Sequence, residues 1–185
     1  MSADDLKSAL NRAEAVLRRR PEMGMHDDAT ASASWHRGTR VISSHANGTQ
    51  IATDMPAELG GTGDKVTPGW LFRAGVASCA ATSIVMTAAK EGVELTTLHV
   101  QVTSRSDTRG LLGMPDSEGV PVYAGPKDLQ LSVRIAANGA APEKLRALVE
   151  NGVRCSPIPS VVQSATPLPV RIEIDTTTAP ESRAA

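Results

Sequence analysis

Aromatic residues are nearly missing: two Trp, one Tyr and one Phe make up 2% of 185 residues. A surface that stacks nucleic-acid bases needs such side chains, so single-stranded nucleic acid is not an expected partner. Acidic and basic residues nearly balance, 20 against 19. The formal net charge is −1, which provides no basic footprint for nucleic acid or for an anionic membrane. Cysteine is scarce, with only Cys79 and Cys155 and no CxxC. The histidines (His26, His36, His45, His99) are scattered, without metal-ligand spacing, so no metal is expected. The first residues contain no apolar signal core, so the expected location is a reducing cytoplasm. There a cysteine pair is reduced or catalytic more often than a structural disulfide. The charge-free run 74–89 has 16 residues, whereas a membrane span needs about 20 strongly apolar ones. Ser78, Thr82, Ser83 and Thr87 weaken it further, so no membrane is expected. GxSxG and SxxK are absent, and "GGTGDK" lacks the spacing of a phosphate loop.

What is present divides by period. Residues 2–20 repeat apolar side chains at helical spacing (Leu6, Leu10, Ala13, Leu17), with Ser2 and Asp5 as a capping box and Pro21 as the stop. We read 1–25 as a helical extension, 26–178 as the main domain and 179–185 as a flexible tail. Short strands follow: "TASASW", "RVIS" and "TQIAT", with Asn47-Gly48 as a hairpin turn. A Gly-rich loop then leads to Thr67, a good N-cap, and Pro68, a good first helical residue. Strict alternation marks strands at "TLHVQVTS" and "LQLSVRI", separated by a long excursion at 106–126. Pro142 opens another helix with Leu145, Leu148 and Val149 on one face, and "VRIEI" is read as a last strand. Hairpin-joined strands grouped apart from helices give an α+β class.

The stretch "WLFRAGVASCAATSIVMTAAK" carries the chemistry. Its Gly, Ala, Ser and Thr residues allow other backbones to approach closely, and Gly75, Ser78, Thr82 and Ser83 neighbour Cys79 on a helix. A buried cysteine is inert packing by default, and a reactive one must be held as a thiolate. Cys79 lies beyond the first turn after Pro68, where the helix dipole acts, so a cation from elsewhere is required.

Three segments together resemble the OsmC/Ohr family, the osmotically inducible protein C and organic hydroperoxide resistance proteins. They are "RGTRVISS", "ELGGTGDKVTPGWLFRAGVASCAATS" and "VRCSPIPSVV". The resemblance implies an OsmC-like fold, with antiparallel sheets around a long central helix, in an intertwined homodimer with sites at the subunit interface. It also implies a thiol-dependent peroxidase that reduces organic hydroperoxides to alcohols. Cys79 would be the peroxidatic thiol, Arg37 its activating cation and Cys155 the resolving thiol. No cofactor would be bound; an external dithiol, lipoyl-type or another small thiol, would restore the enzyme. Two positions depart from the pattern. Gly69 stands where the family's peroxidases carry the Glu that aims the Arg, leaving Glu58 or Asp64 as substitutes. Ser156, not Cys155, directly precedes Pro157, so Cys155 is either the resolving thiol or a bystander. A non-catalytic ligand-binding or redox-sensing protein on the same fold is the alternative. His36 beside Arg37 is an ordinary strand-end residue, and Trp70 and Phe72 line core or pocket.

Overall fold

The computed structural model describes residues 3–164 and 166–174. Helix α1 (Ala3–Arg19) ends at the short 3-10 turn Pro21–Gly24. The expected Ser2 cap lies outside the described residues. Strands β1 (Ser32–Arg37), β2 (Arg40–Ser44) and β3 (Gln50–Thr53) form one antiparallel sheet in that order. The Asn47-Gly48 turn fixes the β2–β3 register: Ser44 faces Gln50 and Val41 faces Thr53. Asn47 Oδ1 accepts from the Thr49 amide, and Gly48 has φ 89°. Helix α2 (Pro68–Glu91) follows, with the Thr67 side chain accepting from the Trp70 amide as an N-cap should. Strands β4 (Leu95–Arg105) and β5 (Lys127–Ala137) form a second antiparallel sheet. Helices α4 (Pro142–Arg154) and α5 (Pro157–Gln163) close the described chain, and a one-turn helix α3 (Thr108–Leu111) lies inside the 106–126 excursion. That excursion is internally bonded: the Arg109 guanidinium pairs with Asp107 and holds its carboxyl down at about 2.

The core is built where the alternation placed it. Leu98, Val100 and Val133, Ile135 turn one face of the second sheet onto Ile84, Ala88 and Leu148. Buried positions on α2 (Val76, Ala80, Ile84, Ala88) recur every four residues, one stripe of a helix. By length and composition α2 is apolar enough to cross a membrane, yet α1, β4, α4 and α5 all pack against it. Helix α1 docks on α2, where Lys90 pairs with Glu14.

Two features differ from expectation. The "VRIEI" segment is not a strand: it is unpaired, and Val170, Ile172 and Ile174 are highly exposed. Its alternation is real, but it pairs with none of the described strands. The first sheet is likewise uncovered. Every residue of β1 is exposed, with Trp35 at 74%, and no β1–β3 residue joins the core cluster.

One glycine sets the helix spacing. A Cβ on Gly152 of α4 would lie 2.8 Å from the Ile84 Cα and 2.9 Å from its Cγ1. Only hydrogen allows that approach. We expect Gly152→Val to cost about 2–3 kcal/mol through overpacking, seen as a lower urea midpoint with an unchanged slope.

Candidate active site around Cys79

Cys79 lies midway along α2 and is half-buried, with a free thiol. Its sulfur accepts two hydrogen bonds from the turn between α4 and α5. The Ser156 hydroxyl donates at 3.1 Å and the Ile158 backbone amide at 3.5 Å. Ser156 is the N-cap residue of α5, but its side chain caps no amide. Its hydroxyl turns to the sulfur instead and is 0% exposed. Donors aimed at an atom stabilise negative charge there, whether on an attacking thiolate or on a departing oxygen. Gly152 supports this geometry, because the close contact with Ile84 brings the end of α4 down onto α2.

Cys155 goes elsewhere. As the C-cap of α4 it is exposed, and its sulfur contacts Asn151 Oδ1 at 3.9 Å. It lines a cleft of about 220 Å³ with Ser83, Met86, Thr87, Lys90 and Asn151. Adjacent residues at a helix corner face different ways, so Ser156 occupies the position against Cys79 and Cys155 the outer one.

Arg37 ends β1, beside a bulge between Trp35 and Arg37. It is exposed and has no ion pair with any described residue. Within one chain, then, no cation bonds the Cys79 sulfur among the described residues. The organised guanidinium is that of Arg40, with a side chain 15% exposed. Arg40 pairs with Asp54 (3.0 Å) and Asp64 and donates to Thr62. Asp64, one of the two candidates to replace the carboxylate missing at Gly69, is therefore engaged with Arg40. Gly69 itself lies nearest the Arg73 guanidinium, which donates to Ser104. His36 is exposed on β1. Trp70 and Phe72 are also exposed, half in solvent, and so fill no core within the chain.

The Arg40 cluster fixes the loop that leads into α2. Asp54 is 2% exposed and accepts from Thr39 Oγ1 (2.5 Å), Thr62 Oγ1 (2.8 Å), the Met55 amide (2.8 Å) and Arg40. The Thr39 hydroxyl most of all holds its carboxyl well below the usual range, against the opposing effect of burial; Thr62, Met55 and Arg40 add to it. Gly61 completes the loop: a Cβ there would fall 1.7 Å from the Met55 carbonyl oxygen. Sequence reasoning missed this cluster, although the hairpin register already sets Arg40 beside Asp54.

A cavity of about 600 Å³ lies away from Cys79, between α1, the end of α2 and β4, with Leu6, Val85, Ala89 and Leu98 among its walls. It reaches no residue of the Cys79 constellation. Among the described residues no cluster of His, Cys, Asp and Glu could hold a metal ion.

Comparison with known proteins agrees with this architecture. The model of a family described as OsmC-like protein matches residues 61–171, more than half of the chain. No curated protein matches. An OsmC-like protein from Mycoplasma pneumoniae superposes with a TM-score of 0.62 at 16% identity, over 76% of this chain and 90% of its own. An organic hydroperoxide resistance protein OsmC from Legionella pneumophila gives 0.54 at 22%, over 75% and 93%. A Vibrio cholerae protein described as an organic hydroperoxide resistance protein gives 0.51 at 25%, over 76% and 88%; it holds captopril in one of its active sites.

The depressed carboxyl of Asp54 has a pH signature. Because its folded value lies below the unfolded value of about 3.9, its contribution is complete above that pH and is lost as pH falls toward the folded value. We expect Asp54→Asn to lower stability at neutral pH. It should also flatten the loss of stability below about pH 4, measured as denaturation midpoint against pH.

Proposed function

We propose, on the premise that this chain belongs to the OsmC-like protein family, that it is a thiol-dependent peroxidase reducing organic hydroperoxides to alcohols. The observation that carries the proposal is the pair of donors on the Cys79 sulfur, at 3.1 and 3.5 Å. Support comes from the Legionella and Vibrio proteins, both described as organic hydroperoxide resistance proteins.

The reaction balances without a metal or flavin. The Cys79 thiolate attacks the outer oxygen of ROOH; the S–O bond forms as the O–O bond breaks, and RO⁻ takes a proton to leave as the alcohol. Cys79 is then a sulfenic acid. A thiol condenses with it, releasing water and leaving a disulfide, and a second thiol reduces that disulfide. Two electrons pass from two thiols to one peroxide. Captopril, itself a thiol, occupies an active site of the Vibrio relative, which supports access of small thiols to such a site. A reducing cytoplasm supplies them.

Arg37 is the cation of this scheme, and it acts in a homodimer. The three-stranded sheet that carries it is open to solvent and lies outside the core. A second copy packed against that sheet buries it and brings the guanidinium to a Cys79. There it offsets charge on the sulfur and on the departing oxygen. The exposed side chains of Phe72, seven residues before Cys79 on α2, and of Ile158, whose amide bonds the sulfur, suit an alkyl tail over free hydrogen peroxide.

Gly69 favours a second reading. Without a carboxylate beside the helix-opening Pro68, Arg37 has no identified aiming partner, and a binding protein on the same fold would need none. Turnover separates the two. Purified protein with dithiothreitol consumes cumene hydroperoxide; Cys79→Ser abolishes consumption, and Arg37→Ala lowers kcat/KM about 100-fold. Equal turnover by Cys79→Ser would end the proposal.

A further inference from the structure

We propose that Ser156 is a positioning residue for Cys79 and that it excludes Cys155 from resolving the oxidised sulfur, so this chain depends on an external thiol at every turnover. The inference rests on the peroxidase reading of Cys79 and adds the class of its second substrate.

Three observations carry it. First, the Ser156 hydroxyl is fully buried and lies 3.1 Å from the Cys79 sulfur, closer than any other donor. A side chain at N-cap would ordinarily bond an amide of its own helix; this one caps no amide. Second, Cys155 is exposed, bonded to Asn151 and set in the cleft with Ser83, Met86 and Lys90. Third, the corner between them is locked. The Cys155 amide donates to the Asn151 carbonyl, the Ser156 amide donates to Val153, and the Ser160 hydroxyl bonds the Ser156 carbonyl. Pro157 follows at once and fixes the backbone. A disulfide needs Cα atoms within about 7 Å and Cβ vectors that converge. In the observed corner Ser156 holds the place against the Cys79 sulfur and the Cys155 thiol turns to Asn151, so a Cys79–Cys155 disulfide needs these contacts to be given up.

The chemistry follows from that placement. After oxygen transfer, the Cys79 sulfenic acid finds a hydroxyl, not a thiol, at its side. A hydroxyl does not displace water from sulfenic sulfur under these conditions, so the acid persists until a small thiol enters. That thiol forms a mixed disulfide with release of water. A second thiol cleaves it, regenerating Cys79 and yielding the oxidised disulfide. In the preceding step the Ser156 hydroxyl and the Ile158 amide hold the attacking sulfur in place.

The test uses the full-length protein. Reduced wild type receives one equivalent of tert-butyl hydroperoxide and then dimedone, and peptides are mapped by mass spectrometry. The expected product is a dimedone adduct on Cys79 with no Cys79–Cys155 disulfide. Cys155→Ser keeps its turnover with dithiothreitol. Ser156→Ala slows oxidation of Cys79 about tenfold, the loss of one hydrogen bond to a charged atom. Ser156→Cys diverts the product: the adduct vanishes and Cys79 is found in a disulfide with the introduced thiol, a result no purely structural role for this position would give. A Cys79–Cys155 disulfide in the wild type, or loss of turnover in Cys155→Ser, would overturn the inference while leaving Cys79 a peroxidase. An unoxidised Cys79 would overturn the peroxidase reading and this inference with it.

Discussion

The contact between Gly152 of α4 and Ile84 of α2 is the constraint on which the site depends. No side chain larger than hydrogen fits there. Because α4 sits that close, its end reaches α2 just where Cys79 stands, five residues before Ile84. The chain then turns sharply through Cys155, Ser156 and Pro157. The inward residue of that turn is Ser156 and the outward one is Cys155. A packing requirement in the core thus decides which side chain faces the sulfur.

A second constraint acts in the loop ahead of α2. Asp54 collects donors from Thr39, Thr62, Met55 and Arg40, and so ties the end of β3 to the Gly-rich loop. The loop delivers Thr67 and Pro68 to the start of α2. Buried carboxylates of this kind are stable only when fully bonded, and this one is. Arg40 is spent on that structural task. Arg37, three residues earlier on the same hairpin, is left exposed on a bulged strand and is free to serve another copy.

Much of the fold was legible in the sequence because its signals are local. Asn47-Gly48, Thr67-Pro68, the alternation through Leu98 to Val102 and the apolar face of Leu145, Leu148 and Val149 each specify their element from neighbouring residues alone. What was not legible depends on partners distant in sequence. "VRIEI" has the period of a strand, but a strand also needs a partner, and this segment pairs with none of the described strands. Arg37 and Arg40 look alike in "RGTR"; only the β2–β3 register, which places Arg40 beside Asp54, tells them apart. The displacement of Cys155 by one residue was visible from Pro157. So was Ser156 in its place; what was not legible is the Gly152 contact with Ile84, across 68 residues of chain, that holds the turn down on α2.

If the account is right, a complete site draws its sulfur from one copy and its guanidinium from another. Mixing Cys79→Ser subunits with Arg37→Ala subunits, each nearly inactive alone, and letting them exchange tests that directly. The account predicts that hydroperoxide reduction returns in the mixture, because the mixed dimer holds one site with both Cys79 and Arg37. A mixture as inactive as its parents, with subunit exchange verified by mass, would contradict it.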